Sequence, residues 1–154
     1  MDFGQFDSRK ASEMPRALHL KHPGTGKLLY DGVDAKGNPD EAKPCRVLVL
    51  GIEGETGQSA ILESQRARIK QERPAGEPVT ISNVHDQIVK EIAPLIVGFE
   101  NVNRGSKAAT APADVEWFLT LQMVNGSRTQ LSFAEQVRSF ATDRAAILGE
   151  GNAS

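Results

Sequence analysis

The sequence predicts an α+β domain: a small antiparallel β-unit, made of a hairpin plus one buried strand, followed by about four helices. Three observations lead there. Ala17-Leu18-His19-Leu20-Lys21 alternates apolar and polar residues, as a half-buried strand does. Arg46-Val47-Leu48-Val49-Leu50-Gly51-Ile52 is rich in β-formers and continuously apolar enough to be a strand buried on both faces. From Thr56 the apolar spacing becomes helical and remains so to Leu148.

Along the chain, residues 1–16 mix charge, Gly and Ser without a period and read as a mobile arm. Phe3 and Phe6 in it either fray at the surface or dock on a partner. Pro23-Gly24-Thr25-Gly26 is a turn, and Leu28-Leu29-Tyr30 returns as the partner strand of the hairpin. Asp31 to Pro44 is polar, broken by Gly32, Gly37 and Pro39, and reads as a long loop. Thr56 is a plausible N-cap for a first helix reaching about Glu72, with a narrow stripe of Ile61, Leu62 and Ile69. Pro74 to Pro78 breaks the chain. Val84, Ile88, Ile92, Leu95 and Phe99 then define a second helix, capped by Ser82 or Asn83 and kinked or broken by Pro94 near Ile92.

A third helix opens at Ala111-Pro112-Ala113-Asp114, carries Val115, Phe118 and Leu119 on one side and Trp117 and Leu121 on another, and stops at Asn125-Gly126. The fourth begins with the capping box Ser132-Phe133-Ala134-Glu135 and runs through Val137, Phe140, Ala141, Arg144 and Ile147. Residues 17–149 thus read as a single domain, and residues 150–154 as a disordered tail.

Composition narrows the function classes. The chain of 154 residues is 39% hydrophobic and 25% charged, the balance of one globular domain. A net charge of −2 argues against general nucleic-acid binding, which needs a basic excess. No apolar run approaches the roughly 20 residues that span a bilayer, and Met1 to Arg9 hold no signal-peptide core. The expectation is a cytoplasmic protein. Cys45 is the only cysteine and reads as a partly buried strand residue rather than a catalytic thiol.

No motif points to catalysis. Gly24-Thr25-Gly26-Lys27 lacks the first glycine and the hydroxyl residue of a phosphate loop, so a hairpin turn is the better reading. His19 and His22 have no third metal ligand nearby, and His85-Asp86 lies at a helix start with His85 expected at the surface. Glu53 and Glu55 flank Gly54 before the first helix. As a hydrolase or metal site they would use His85, but no partner base or oxyanion hole accompanies them. The expected site therefore has no catalytic residue, no cofactor and no metal.

Two stretches resemble a known family. PGTGKLLYDG, with CRVLVLGIEGETGQSAILESQRAR after a loop, resembles the front of the tail assembly chaperones of long-tailed bacteriophages. HDQIVKEIAPLIVGFENVNRG and SFAEQVRSFATDRAAIL are similar to that family's later helices, one ending in aromatic-Glu-Asn-Val and one carrying an Asp-Arg pair. The long loop Asp31 to Pro44 and the insert Gly105 to Thr110 depart from the family pattern. The resemblance implies a small non-enzymatic protein of the host cytoplasm, absent from the mature virion. Such a protein would bind the tape measure protein and help recruit tail tube subunits, without nucleic acid or membrane; self-association is compatible with the same apolar faces. The alternative is a structural tail or head–tail connector protein retained in the virion. On either reading the expected partner-binding residues are Trp117, Phe118 and Leu121, with Arg66, Arg68 and Lys70 as a charged rim.

Overall fold

The fold is α+β, with helices packed on one face of a three-stranded antiparallel sheet. The computed structural model describes residues 1–70 and 81–148. The break at Pro74 to Pro78, the stop at Gly149 and the tail 150–154 lie outside the described residues.

Strands β1 (Arg16–His19), β2 (Arg46–Val49) and β3 (Ile96–Glu100) form the sheet in that order, with β2 in the centre. Leu18, Val47 and Phe99 stand opposite one another across it. Burial along β2 alternates, with Val47 and Val49 buried and Arg46 and Leu48 partly open. The strand expected to be covered on both faces is therefore fully covered on one, the usual outcome for an antiparallel sheet with its helices on one side.

The expected hairpin is present only in part. Lys21 bridges Leu28, and the turn closes through His22 N–H to Lys27 O, with Gly26 in the left-handed region (φ 74°). Leu29 still donates its N–H to Leu20 O, but its carbonyl accepts from Cys45, and the regular strand partner of β1 is β2. The loop from Asp31 to Pro44 folds back on itself: Val33 bridges Pro39, and the Asp34 carboxylate accepts the Lys36 and Asn38 amides.

Strand β3 was concealed in the sequence by helical spacing. Helix α1 (Ser8–Ala11) lies in the N-terminal arm, and helices α2 (Glu55–Lys70) and α3 (Ile81–Ile92) follow the central strand. Pro94 sits in a 3-10 turn, Ala93–Leu95, that ends α3 at Ile92, the break the sequence predicts there. Ile96-Val97-Gly98-Phe99 then continues as strand rather than helix, carrying Phe99 to the sheet. Gly98 lets the strand pass Leu48, since a Cβ there would come 3.1 Å from Leu48 Cδ1.

The buried side of α2 differs from the stripe expected of Ile61, Leu62 and Ile69. Ala60 and Ser64 are buried, while Leu62 is exposed and the side chain of Ile69 lies outside the described residues; Gly57, also buried, passes against the Ile52 backbone, where a Cβ would not fit. The helix starts one residue before Thr56, so Thr56 is not its cap. Because α3 starts at Ile81, Ser82 and Asn83 lie within it rather than before it.

A β-ribbon, β4 (Asn103–Arg104) with β5 (Lys107–Ala108), occupies the insert after β3. The third expected helix is a short one, α4 (Val115–Leu119), and the fourth is two, α5 (Phe133–Ala141) and α6 (Arg144–Leu148). The split falls where Thr142 turns its hydroxyl to Arg138 O and the Asp143 carboxylate accepts the Ala145 amide as a new N-cap. The capping box of α5 is present as the sequence predicts: Ser132 Oγ accepts from Glu135 N, and Glu135 accepts from Ser132 N.

The core lies between the inner face of the sheet and α3, α4 and α5. Phe118 is its centre, stacked on Phe133 with ring centroids 4.9 Å apart and edge-on to Phe99 at 5.2 Å. Gln136, a buried polar residue in α5, binds both the N–H and the C=O of Lys21, each at 2.9 Å, as a neighbouring strand would. It fixes the chain just beyond β1 against the helical layer.

Within the expected mobile arm, residues 7–13 pack on the body. The Gly51 N–H donates to Ser12 O at 2.8 Å, and Ser12 is fully buried. Phe3 to Phe6 form a 3-10 turn ahead of this segment.

Candidate functional site

The expected binding residues separate into core and surface. Phe118 is only 1% exposed and belongs to the aromatic stack, so its ring is not open to a partner. The physical reason is the shortness of α4: a single turn presents one core face, and Phe118 shares it with Val115 and Leu119. Trp117, the residue before it, is half-buried and packs against the same core. Leu121 follows as the helix unwinds, at 46% exposure, and Met123 lies beyond it at 48%.

Trp117 is held by charge. The Arg104 guanidinium from β4 stands 5.2 Å from the centre of its ring, a cation–π distance. Arg104 in turn pairs with Asp114 at 3.1 Å, just before α4. The Thr110 amide, with the Arg104 guanidinium behind it, holds the Asp114 carboxyl below the usual carboxylate range. The insert Gly105 to Thr110 thus supplies a bracket for Trp117: it closes the turn that places Arg104, and its Thr110 orients Asp114.

Of the expected charged rim, only Arg66 has a described side chain. Arg66 is exposed on α2, a helix that packs on α3 and on the Ala93–Leu95 turn, whereas α4 packs on α5 and that same turn. The side chains of Arg68 and Lys70 lie outside the described residues.

The acidic loop has a structural role that sequence spacing hid. Arg144 of α6 donates through Nε and Nη2 to the two oxygens of Glu53, and the Ser8 hydroxyl donates to it at 2.9 Å. Chiefly the hydrogen bond from Arg144, helped by Ser8, holds the Glu53 carboxyl below its ordinary range. Glu55 is exposed at the start of α2 and does not share this arrangement. The orphan amide of Thr56 is met from elsewhere: the Glu13 carboxylate accepts it at 2.9 Å.

His85, expected at the surface, is 2% exposed. Its Nδ1 accepts the Val124 amide at 3.3 Å, so Nε2 carries the proton, and that nitrogen has no partner among the described residues. It fastens the loop after α4 to α3 and lies apart from Glu53. Cys45 donates to Asn101 O, and burial pushes its thiol up, away from the reactive thiolate. His19 Nε2 lies 2.8 Å from Leu29 O, and His22 Nδ1 accepts the Gly24 and Thr25 amides, so both histidines shape the turn.

Among the described residues, no group of three or more His, Cys, Asp or Glu is placed to hold a metal ion. No described helix is long and apolar enough to cross a membrane. Compared with known protein families, curated proteins and solved structures, the chain has no significant match in any of the three.

Proposed function

We propose that this chain is a non-enzymatic assembly chaperone of a long-tailed bacteriophage, binding the tape measure protein and helping recruit tail tube subunits in the host cytoplasm. The observation that carries the reading is the apolar stretch from the partly buried Trp117 through the exposed Leu121 and Met123, beside a core that Phe118 already fills. A half-buried tryptophan with an arginine over its ring is the kind of anchor that dominates binding energy at interfaces. An amphipathic helix, the form a long tape measure protein offers, matches such a strip. The resemblance in the turn after His22, in the strand ending at Gly51 and in the Asp143-Arg144 pair supports the same reading. The interface residues on it are Trp117, Leu121 and Met123, with Arg104 as their neighbour.

Co-expression with a tape measure protein tests it. The wild-type chain should keep the partner soluble, and Trp117→Ala with Leu121→Ala should lower the soluble partner on the order of tenfold. Unchanged partner solubility, with the variant folded by circular dichroism, overturns the assignment of this surface. Finding the chain in purified virions would instead favour a connector retained in the particle.

A further inference from the structure

The loop between α4 and α5 is fastened at both ends and open at its tip. At one end the Val124 amide donates to His85 Nδ1 at 3.3 Å, and at the other the Phe133 amide donates to Gln122 Oε1 at 3.0 Å. Asn125 and Gly126 stand between them, both exposed. Asn125 is the only asparagine of the chain with glycine after it.

The geometry of the tip favours attack on the Asn125 side chain. Gly126 lies in the left-handed region (φ 72°), and a Cβ built on it would meet nothing within 4 Å. Neither a side chain of its own nor a neighbour crowds that side of the backbone. The Gly126 N–H makes no backbone hydrogen bond among the described residues, so its proton is open to solvent base. The Ser127 N–H donates to Asn125 Oδ1 at 2.9 Å, which curls the side chain back over the following backbone. That bond draws electron density from Cγ and is already in place for the negative charge that attack there builds on the oxygen. Ser127 is itself held, since its Oγ accepts the Thr129 and Gln130 amides at 3.2 and 3.0 Å.

We propose that Asn125-Gly126 is a site of spontaneous deamidation in the folded chain. Solvent base removes the Gly126 amide proton, and the nitrogen attacks Cγ of Asn125 to form a new C–N bond. The tetrahedral intermediate takes a proton from water and expels the side-chain nitrogen as ammonia, leaving a cyclic imide. Water then opens the ring. Attack at Cγ gives ordinary aspartate, and attack at the main-chain carbonyl gives isoaspartate, with the backbone running through Cγ. Water is consumed, ammonia is released, and nothing is oxidised or reduced. Other asparagines lack the arrangement. Asn38 precedes Pro39, whose nitrogen has no proton to lose. Asn83 and Asn101 precede the β-branched Val84 and Val102, and Asn103 lies in β4. The site stands independently of the partner surface proposed above.

The test uses the full chain, incubated in mildly alkaline buffer either folded or unfolded in guanidinium chloride, then digested and mapped by mass spectrometry. The folded chain should exchange amide for acid at Asn125, as a mixture of aspartate and isoaspartate, at a rate within roughly tenfold of the unfolded chain. Gly126→Ala, which puts a methyl group beside the attacking nitrogen, should slow the reaction on the order of tenfold. Asn125→Gln, whose longer side chain closes a ring poorly, should leave that peptide intact. An unmodified Asn125 peptide in the folded chain overturns the proposal, whatever the unfolded chain does. So does ordinary aspartate as the sole product, which marks direct hydrolysis without the ring. A rate that Gly126→Ala leaves unchanged, or equal reaction at Asn38 or Asn101, overturns it as well.

Discussion

Phe118 in the core and Ser12 in the segment 7–13 are both fully buried, yet they are held by different forces. Phe118 is surrounded by carbon: Phe99, Phe133 and the apolar faces of α4 and α5. Ser12 is surrounded by backbone and small groups, with its carbonyl bonded to Gly51 and its hydroxyl donating to Ser8 O at 2.6 Å. The first kind of burial draws its free energy from apolar area removed from water. The second draws on hydrogen bonds worth only about 1 kcal/mol each in net terms, so it depends on several of them acting together.

The largest effect that separates the two regions is expected at Phe118. Phe118→Ala removes the middle ring of the stack and leaves a cavity between the sheet and α5, at a cost of about 3–5 kcal/mol. Urea denaturation should show the midpoint falling by that measure, and a loss below about 1 kcal/mol would mean that Phe118 is not the centre of the core. Trp117→Ala, one position away, should cost less, because that ring is only partly buried and lies outside the aromatic stack.

Next in size is Gln136, which joins the two kinds of burial. Its amide is bound to both backbone groups of Lys21 and also donates to Leu131 O at 3.0 Å. Gln136→Ala strands the Lys21 and Leu131 groups under α5, with an expected loss of about 1–3 kcal/mol. Hydrogen exchange should speed up at the Lys21 amide, which Gln136 Oε1 accepts, while the amides of β2 stay protected. Equal loss of protection in both places would count against Gln136 as a local pin.

Much of the apolar architecture was legible in the sequence. The capping box at Ser132 is local, so spacing alone reveals it, and the alternation from Ala17 marks β1 because only one face of that strand is covered. What stayed hidden depends on partners far away in the chain. Ile96 and Phe99 continue the spacing of α3 so well that only Pro94 betrays the change to strand. Trp117 and Phe118 are equally aromatic, and nothing local tells which one the core takes. His85 is buried because Val124 donates to it, and residues 7–13 are docked because Gly51 and Gly54 leave room for them. A polar segment held by polar bonds has no hydrophobic period to read. The glycine spacing at 51 and 54 was the one available signal for it.

The smallest effect concerns the ion pair that ties the loop before α2 to α6. Glu53 is held below its ordinary range by Arg144 and Ser8, so the folded chain takes up that proton at lower pH than the unfolded chain. The stability it contributes is complete above the unfolded value of about 4.3 and disappears as pH falls through the folded value. Glu53→Gln keeps the shape but loses the charge. Its thermal midpoint should therefore lie slightly below wild type at neutral pH, and the two curves should converge on acidification. Asp114, also held low by Thr110 and Arg104, leaves a residual acid dependence in the variant, so convergence is the diagnostic rather than flatness. Because the Arg144 side of the pair is largely exposed to solvent, the gap should narrow in added salt. A difference that stays constant down to acid pH would show that the charge of Glu53 is not what stabilises the fold.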